Sequence, residues 1–250
     1  MNAEADTGAY GSDGTTFTGR RGTIAVQVSL DWMAAALSFE RLRPYLDECG
    51  DQLDVALRMY TWNTEIAGAF HGPLDWLEIV LRNGLHHELK REFGRGDWWN
   101  SPRIRLRRHA LDQIAEANRK LGTFASSAPA GKLVAELSLG FWVALVSAGR
   151  GGFNYETTLW RPALRFAFSA YRGRRAPLHR DLESVRLLRN RIAHCEPVHR
   201  RHLHADHETV IRLIGYLSPN AAQHVRCHSR VPEVLARRAG VCDGTAEPSF

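Results

Sequence analysis

The sequence predicts an all-α fold, and three observations carry that prediction. Apolar residues recur at three- and four-residue intervals through most of the chain, the mark of amphipathic helices. Strict alternation of apolar and polar residues, the mark of a half-buried strand, is confined to TIAVQVSL (residues 23–30). The periodic segments are separated by Gly, Pro and Ser, which end helices. With 44% hydrophobic and 24% charged residues, the 250-residue chain matches a soluble globular protein rather than a disordered or fibrous one.

Residues 1–28 have the composition of a flexible tail and residues 241–250 of a second, which leaves residues 29–240 as one helical domain. In DWMAAALSFERLRPYL (31–46), Trp32, Leu37, Leu42 and Leu46 recur at helical turns, with Pro44 placed to kink or end the helix. DVALRMYTWNTEIAGAF (54–70) sets Trp62, Ile66 and Phe70 on a broad apolar face, which Gly72 and Pro73 are expected to stop. Pro73 then opens a second long helix, PLDWLEIVLRNGLHHELKREF (73–93). After GRGDWWNSP, the run IRLRRHALDQIAEANRKLG (104–122) reads as an amphipathic helix with an arginine-rich start. A linker, ASSAPAG, precedes KLVAELSLGFWVALVSAG (132–149), which is apolar nearly all round and is expected to be the central buried helix. YETTLWRPALRFAFS follows and leads into a basic loop, YRGRRAPLHR (171–180). The remaining helices carry LLRNRIAHCEP (187–197), HETVIRLIGYLSP (207–219) and two shorter stretches.

The net charge of +6 rests almost wholly on arginine, since lysine occurs only at Lys90, Lys120 and Lys132. Arginine's planar fork suits phosphate, so the bias fits a nucleic-acid partner; GC-rich coding produces the same bias. Cys49, Cys195, Cys227 and Cys242 contain no C-x-x-C pair, which argues against a zinc ribbon and a thioredoxin-type site. No signal peptide opens the chain and no apolar run is long enough to span a bilayer, so a cytoplasmic protein without membrane contact is expected.

The run LLRNRIAHCEP gathers two arginines, an asparagine and a histidine near a helix end. At about 100° per residue, Val185, Leu188 and Ile192 share an apolar face while Asn190 and His194 share the nearly opposite one. Arg189 and Arg191 flank that polar face, and Pro197 ends the helix. RNA cleavage needs a base for the 2′-hydroxyl, an acid for the departing 5′-oxygen and a cation for the phosphate. Histidine suits either proton-transfer role and arginine the third. One chain offers one such histidine, and a two-fold axis would supply a second. The plainer reading is a solvated helix terminus.

RNRIAHCEP resembles the motif of the HEPN superfamily, an Arg followed by a polar residue, further positions and a His. The variant is that of Abi-like (abortive infection) proteins of the AbiD and AbiF type. LSFERLRPYL, YTWNTEIAGAFHGPLDWLEIVLRNGLHHEL, GKLVAELSLGFWVALV, YETTLW and IGYLSP follow the same family order, so the resemblance spans about residues 37–217. Cys195 departs from it, standing where a second histidine is common. The resemblance implies a HEPN-like helical bundle with additional helices, usually a homodimer. It further implies a metal-independent endoribonuclease without a cofactor, acting in phage defence or an RNA-regulated toxin–antitoxin system. Arg189 and His194 are then the catalytic pair and Asn190 the orienting residue, with Arg191 and Glu196 in support. The expected partners are an RNA substrate and a cognate noncoding RNA or antitoxin, and the alternative is a non-catalytic RNA-binding or regulatory module that docks a cognate noncoding RNA.

Other signals compete. LRNGLHH (81–87) echoes LRNRIAH (188–194), and Glu78, Arg82, Asn83, His86 and His87 make a second polar stripe. It reads either as an RNA-positioning patch or as a structural stripe with Glu78 paired to Arg82. HRRHLHADH (199–207) has metal-like spacings at His199, His202, His204 and His207 but no H-E-x-x-H scaffold, so no metal is expected. Arg105, Arg107 and Arg108, with Arg172, Arg174 and Arg175, are candidates to track an RNA backbone. Trp98 and Trp99 are either base-stacking platforms or core.

Overall fold

The protein's structure is a computed structural model that describes residues 31–122, 130–149 and 151–249. The expected N-terminal tail, the alternating TIAVQVSL stretch and most of the ASSAPAG linker lie outside the described residues. The described residues form an all-α fold with no strand. In chain order the helices are α1 (Asp31–Leu37), α2 (Phe39–Leu46), α3 (Leu53–Phe93), α4 (Arg108–Lys120), α5 (Ala130–Glu136), α6 (Leu139–Leu145), α7 (Arg175–Ala193), α8 (Leu203–Leu217), α9 (Pro219–His228), α10 (Val231–Ala236) and α11 (Arg238–Asp243). They group into two compact units, one built from the described residues up to Glu65 and from Arg237 onward, the other from Ile66–Ala236.

In the first unit the helix expected over 31–46 is two. Ser38 adopts φ 65°, a left-handed conformation that interrupts the hydrogen-bond ladder, and its Oγ accepts from the Arg41 N–H at 3.4 Å to start α2. Leu42, Tyr45 and Leu46 then pack with Ala56, Leu57 and Met59. Arg58 donates from Nε to the Cys242 carbonyl at 3.2 Å, and α11 runs through Asp243. The segment expected as a tail from residue 241 therefore begins inside a helix.

Helix α3 corrects the largest sequence expectation. Gly72 and Pro73 do not stop it, and 41 residues run on as one helix with Pro73 inside. Trp62, Ile66, Phe70, Leu74, Leu77, Leu81, Leu85 and Leu89 form an unbroken stripe at helical spacing, each 3% exposed or less. Burying a Leu or Phe side chain contributes about 1.5–3 kcal/mol, so the side chains on either side outweigh the roughly 3 kcal/mol that an interior proline costs. Pro73→Ala is accordingly expected to raise unfolding stability by about 1–3 kcal/mol in urea titration, because it restores an N–H to the ladder.

The second unit holds three further departures. Residues 104–107 are not helical and Arg107 is extended, with Ile104 and Leu106 buried and Arg105 and Arg107 exposed; the arginine-rich start alternates in burial with a period of two, and the helix begins only at Arg108. The expected central helix breaks between α5 and α6 at Leu137 and Ser138, after which Phe141, Trp142 and Val143 are buried on successive faces. The basic loop ends early, since α7 starts at Arg175. Between α6 and α7 the chain forms a π turn, Glu156–Trp160, and a 3-10 turn, Leu164–Ala167. Helix α7 packs against α6 and α8, α8 against α9 and α10, and α4 against α5 and α6. Among the described residues no helix is long and apolar enough to cross a membrane.

Candidate active site and basic groove

The Arg/Asn/His run occupies the end of α7. Leu178, Leu182, Val185, Leu188 and Ile192 anchor the helix by their buried face. Its end is a Schellman turn: the Glu196 N–H reaches the Arg191 carbonyl at 2.7 Å and the Cys195 N–H the Ile192 carbonyl at 3.0 Å. Cys195 takes the left-handed position at φ 53°, where glycine is usual. The His194 N–H donates to the Asn190 carbonyl at 3.0 Å, so its backbone closes the helix while its side chain stands exposed. The expected supporting pair braces this turn. Arg191 donates to the Pro197 carbonyl at 3.0 Å and lies 3.8 Å from Glu196.

Arg189 reaches back to α3, where Glu78 lies 3.6 Å away. Glu78 is itself fixed, because its Oε1 accepts from the Leu139 N–H at 3.0 Å and caps the start of α6. The expected Glu78–Arg82 pair is thus replaced by Glu78–Arg189. Arg82 instead donates to the Ala135 carbonyl at 3.5 Å and to Asn83 at 3.4 Å. His86 accepts from the Trp98 indole N–H at 3.2 Å, and burial pushes its pKa down. His87 is exposed. The second stripe is therefore divided: Glu78 joins the motif, and Arg82 and His86 tie α3 to its neighbours.

This arrangement makes Glu78 a competitor for Arg189. Glu78→Gln keeps an acceptor for the Leu139 N–H but removes the carboxylate. If Arg189 holds a phosphate, that ligand is then expected to bind a few-fold tighter, the scale of a half-exposed ion pair at roughly 0.5–1 kcal/mol. Direct titration checks this.

Arg189 and Asn190 also line an open groove of about 540 Å³ between α4, α6 and α7. Helix α7 adds His179, Glu183 and Arg186, spaced four and three residues apart and so in register with Asn190. Arg107, His109 and Gln113 face them from the start of α4. Ser138, just before α6, and Gly140 within it also line the groove. Arg186 holds Glu183 through two hydrogen bonds of 2.9 and 2.6 Å, which keep that carboxyl below the usual range and neutralise it. Burial lowers the pKa of His179, and Glu183 opposes that shift. His194 is not in the lining. Sequence reasoning missed His109, His179, Glu183 and Arg186; the four-and-three spacing leading into Asn190 was the signal that could have found the α7 members.

The two basic stretches part ways. Arg107 lines the groove, whereas Arg108 pairs with Asp112 at 2.9 Å and Arg105 lies over the Phe153 ring at 6.0 Å. Arg175 is taken up by structure, donating to Glu156 at 2.6 Å and to the Val146 carbonyl at 2.9 Å. Arg172 donates to the Ser169 carbonyl at 2.6 Å, and the Arg174 carbonyl accepts from the Tyr171 hydroxyl at 2.8 Å. Trp98 is fully buried among Trp99, Phe141 and Trp142, which removes it as a stacking platform.

The histidine cluster disperses. His199 and His207 are buried while His202 and His204 are exposed. His207 meets the Ser229 hydroxyl at 2.9 Å, and Asp206 takes two hydrogen bonds of 2.8 Å from Arg201. Among the described residues no three His, Cys, Asp or Glu side chains gather as a metal-binding group. No protein-family model, curated protein or solved structure matches this chain.

Proposed function

We propose that this chain is a metal-independent endoribonuclease of the Abi-like, HEPN type, cytoplasmic and acting in phage defence or an RNA-regulated toxin–antitoxin system. The observation that carries the reading is the joint placement of Arg189 and Asn190 on a basic groove, with His194 exposed at the end of the same helix. In the reaction the 2′-oxygen bonds to phosphorus as the bond to the 5′-oxygen breaks. A base takes the 2′-hydroxyl proton and an acid protonates the leaving oxygen. His194 exchanges one of these protons, Arg189 holds the phosphate charge and Asn190 orients the group beside it. A homodimer supplies the second histidine.

Incubation of total RNA with the purified protein in EDTA tests the reading. It requires fragments with 2′,3′-cyclic phosphate and 5′-hydroxyl ends; intact RNA, or cleavage that persists in His194→Ala, refutes it. One observation favours a second reading: His194 stands outside the groove lining. A non-catalytic module docking a noncoding RNA uses the groove alone, and predicts salt-sensitive binding without product that survives His194→Ala.

A further inference from the structure

We infer that the groove between α4, α6 and α7 is a subsite for single-stranded RNA, seating the nucleotide next to the cleaved linkage with its phosphate on Arg107. The inference rests on the endoribonuclease reading for which linkage is cut, and on the groove's own chemistry for the rest.

Three guanidinium groups, those of Arg107, Arg186 and Arg189, border the groove against one carboxylate, Glu183, which Arg186 already neutralises. Arg189 is half committed to Glu78 across 3.6 Å. Arg107 differs from both. Its backbone N–H is pinned by the Tyr155 hydroxyl at 2.8 Å, while its exposed side chain enters no ion pair among the described residues. The fold thus fixes where this cation emerges and leaves its charge unspent. Ser138 and Gln113 add neutral hydrogen-bonding groups, and His179 adds a ring whose pKa burial lowers. A space of about 540 Å³ between three helices has room for a nucleotide, which makes an unpaired strand the fitting occupant. Arg189 belongs to both the groove and the catalytic motif, so a strand held on Arg189 continues naturally toward Arg107.

The test is binding of a 2′-O-methyl RNA dodecamer, which is not cleaved by 2′-hydroxyl attack, followed by fluorescence anisotropy over a salt series. Arg107→Ala is expected to weaken binding by roughly tenfold and to reduce the salt slope by about 0.7, the value of one lost phosphate contact on a single strand. Arg107→Lys retains most of the affinity, which separates charge from folding. Lys120→Ala, the same charge loss at the exposed far end of α4, leaves binding unchanged. The same sequence annealed to its complement competes poorly. Equal binding by Arg107→Ala and Lys120→Ala, equal competition by the duplex, or no binding by wild type overturns the inference. Cleavage of the 2′-hydroxyl dodecamer is read alongside. Weakened binding in Arg107→Ala with no product from wild type upholds the subsite and refutes the nuclease, whereas His194-dependent cleavage with unaltered Arg107→Ala binding does the reverse.

Discussion

On the endoribonuclease reading, His194→Ala is expected to lower kcat by about 10²- to 10⁴-fold while shifting unfolding stability by less than roughly 0.5 kcal/mol. The two halves come from one observation. His194 closes α7 through its backbone N–H, a bond that alanine also makes, and its exposed ring takes no part in the core. Loss of activity in this variant therefore reports chemistry rather than folding. Arg189→Ala is a less clean probe because it also breaks the link to Glu78, so its stability must be measured beside its rate. Single-turnover cleavage with matched urea titrations checks the pair. A His194→Ala enzyme that retains wild-type kcat ends the assignment, and one that loses stability by several kcal/mol assigns the residue to structure instead.

The all-α class was legible because helical periodicity survives even where helix boundaries were misplaced. Pro73 shows why boundaries fail: local propensity argues for a stop, but an unbroken stripe from Trp62 to Leu89 is buried, and burial wins. Ser38 is the opposite case. Serine carries no strong prohibition on helix, yet the left-handed turn there breaks the segment in two. For IRLRRH, four residues satisfy both a period of two and a short amphipathic turn, and only the buried positions of Ile104 and Leu106 decide between them. At the candidate site, the apolar and polar faces of α7 followed directly from the sequence. Glu78 did not, because pairing Glu78 with Arg82 is a local rule of one helix, whereas Arg189 and the Leu139 N–H reach Glu78 from other helices. The groove was hidden for the same reason: Arg107 and Arg186 are far apart in the chain and come to line one groove only because α4 and α7 both pack on α6.

Trp98→Ala is expected to destabilise the protein by about 3–5 kcal/mol, the scale of a large aromatic removed from a closed core. The tryptophan is 0% exposed and lies within 6.4 Å, ring to ring, of Trp99, Phe141 and Trp142. Its indole N–H also donates to His86 Nδ1, and burial lowers the pKa of that ring, the direction that favours its accepting the bond. Trp98→Phe separates the two contributions. The phenyl ring refills most of the volume but leaves the His86 nitrogen without its donor, so a smaller loss of roughly 1–3 kcal/mol is expected. The sequence also offered Trp98 as a base-stacking residue beside a basic stretch, and the two roles predict opposite results. A stacking residue loses RNA affinity at constant stability. A core residue loses stability, and its Phe variant binds RNA as wild type does wherever it remains folded. Urea denaturation of both variants, with anisotropy on the Phe variant, decides between them; wild-type stability in Trp98→Ala would show that this aromatic cluster does not close the core around α6.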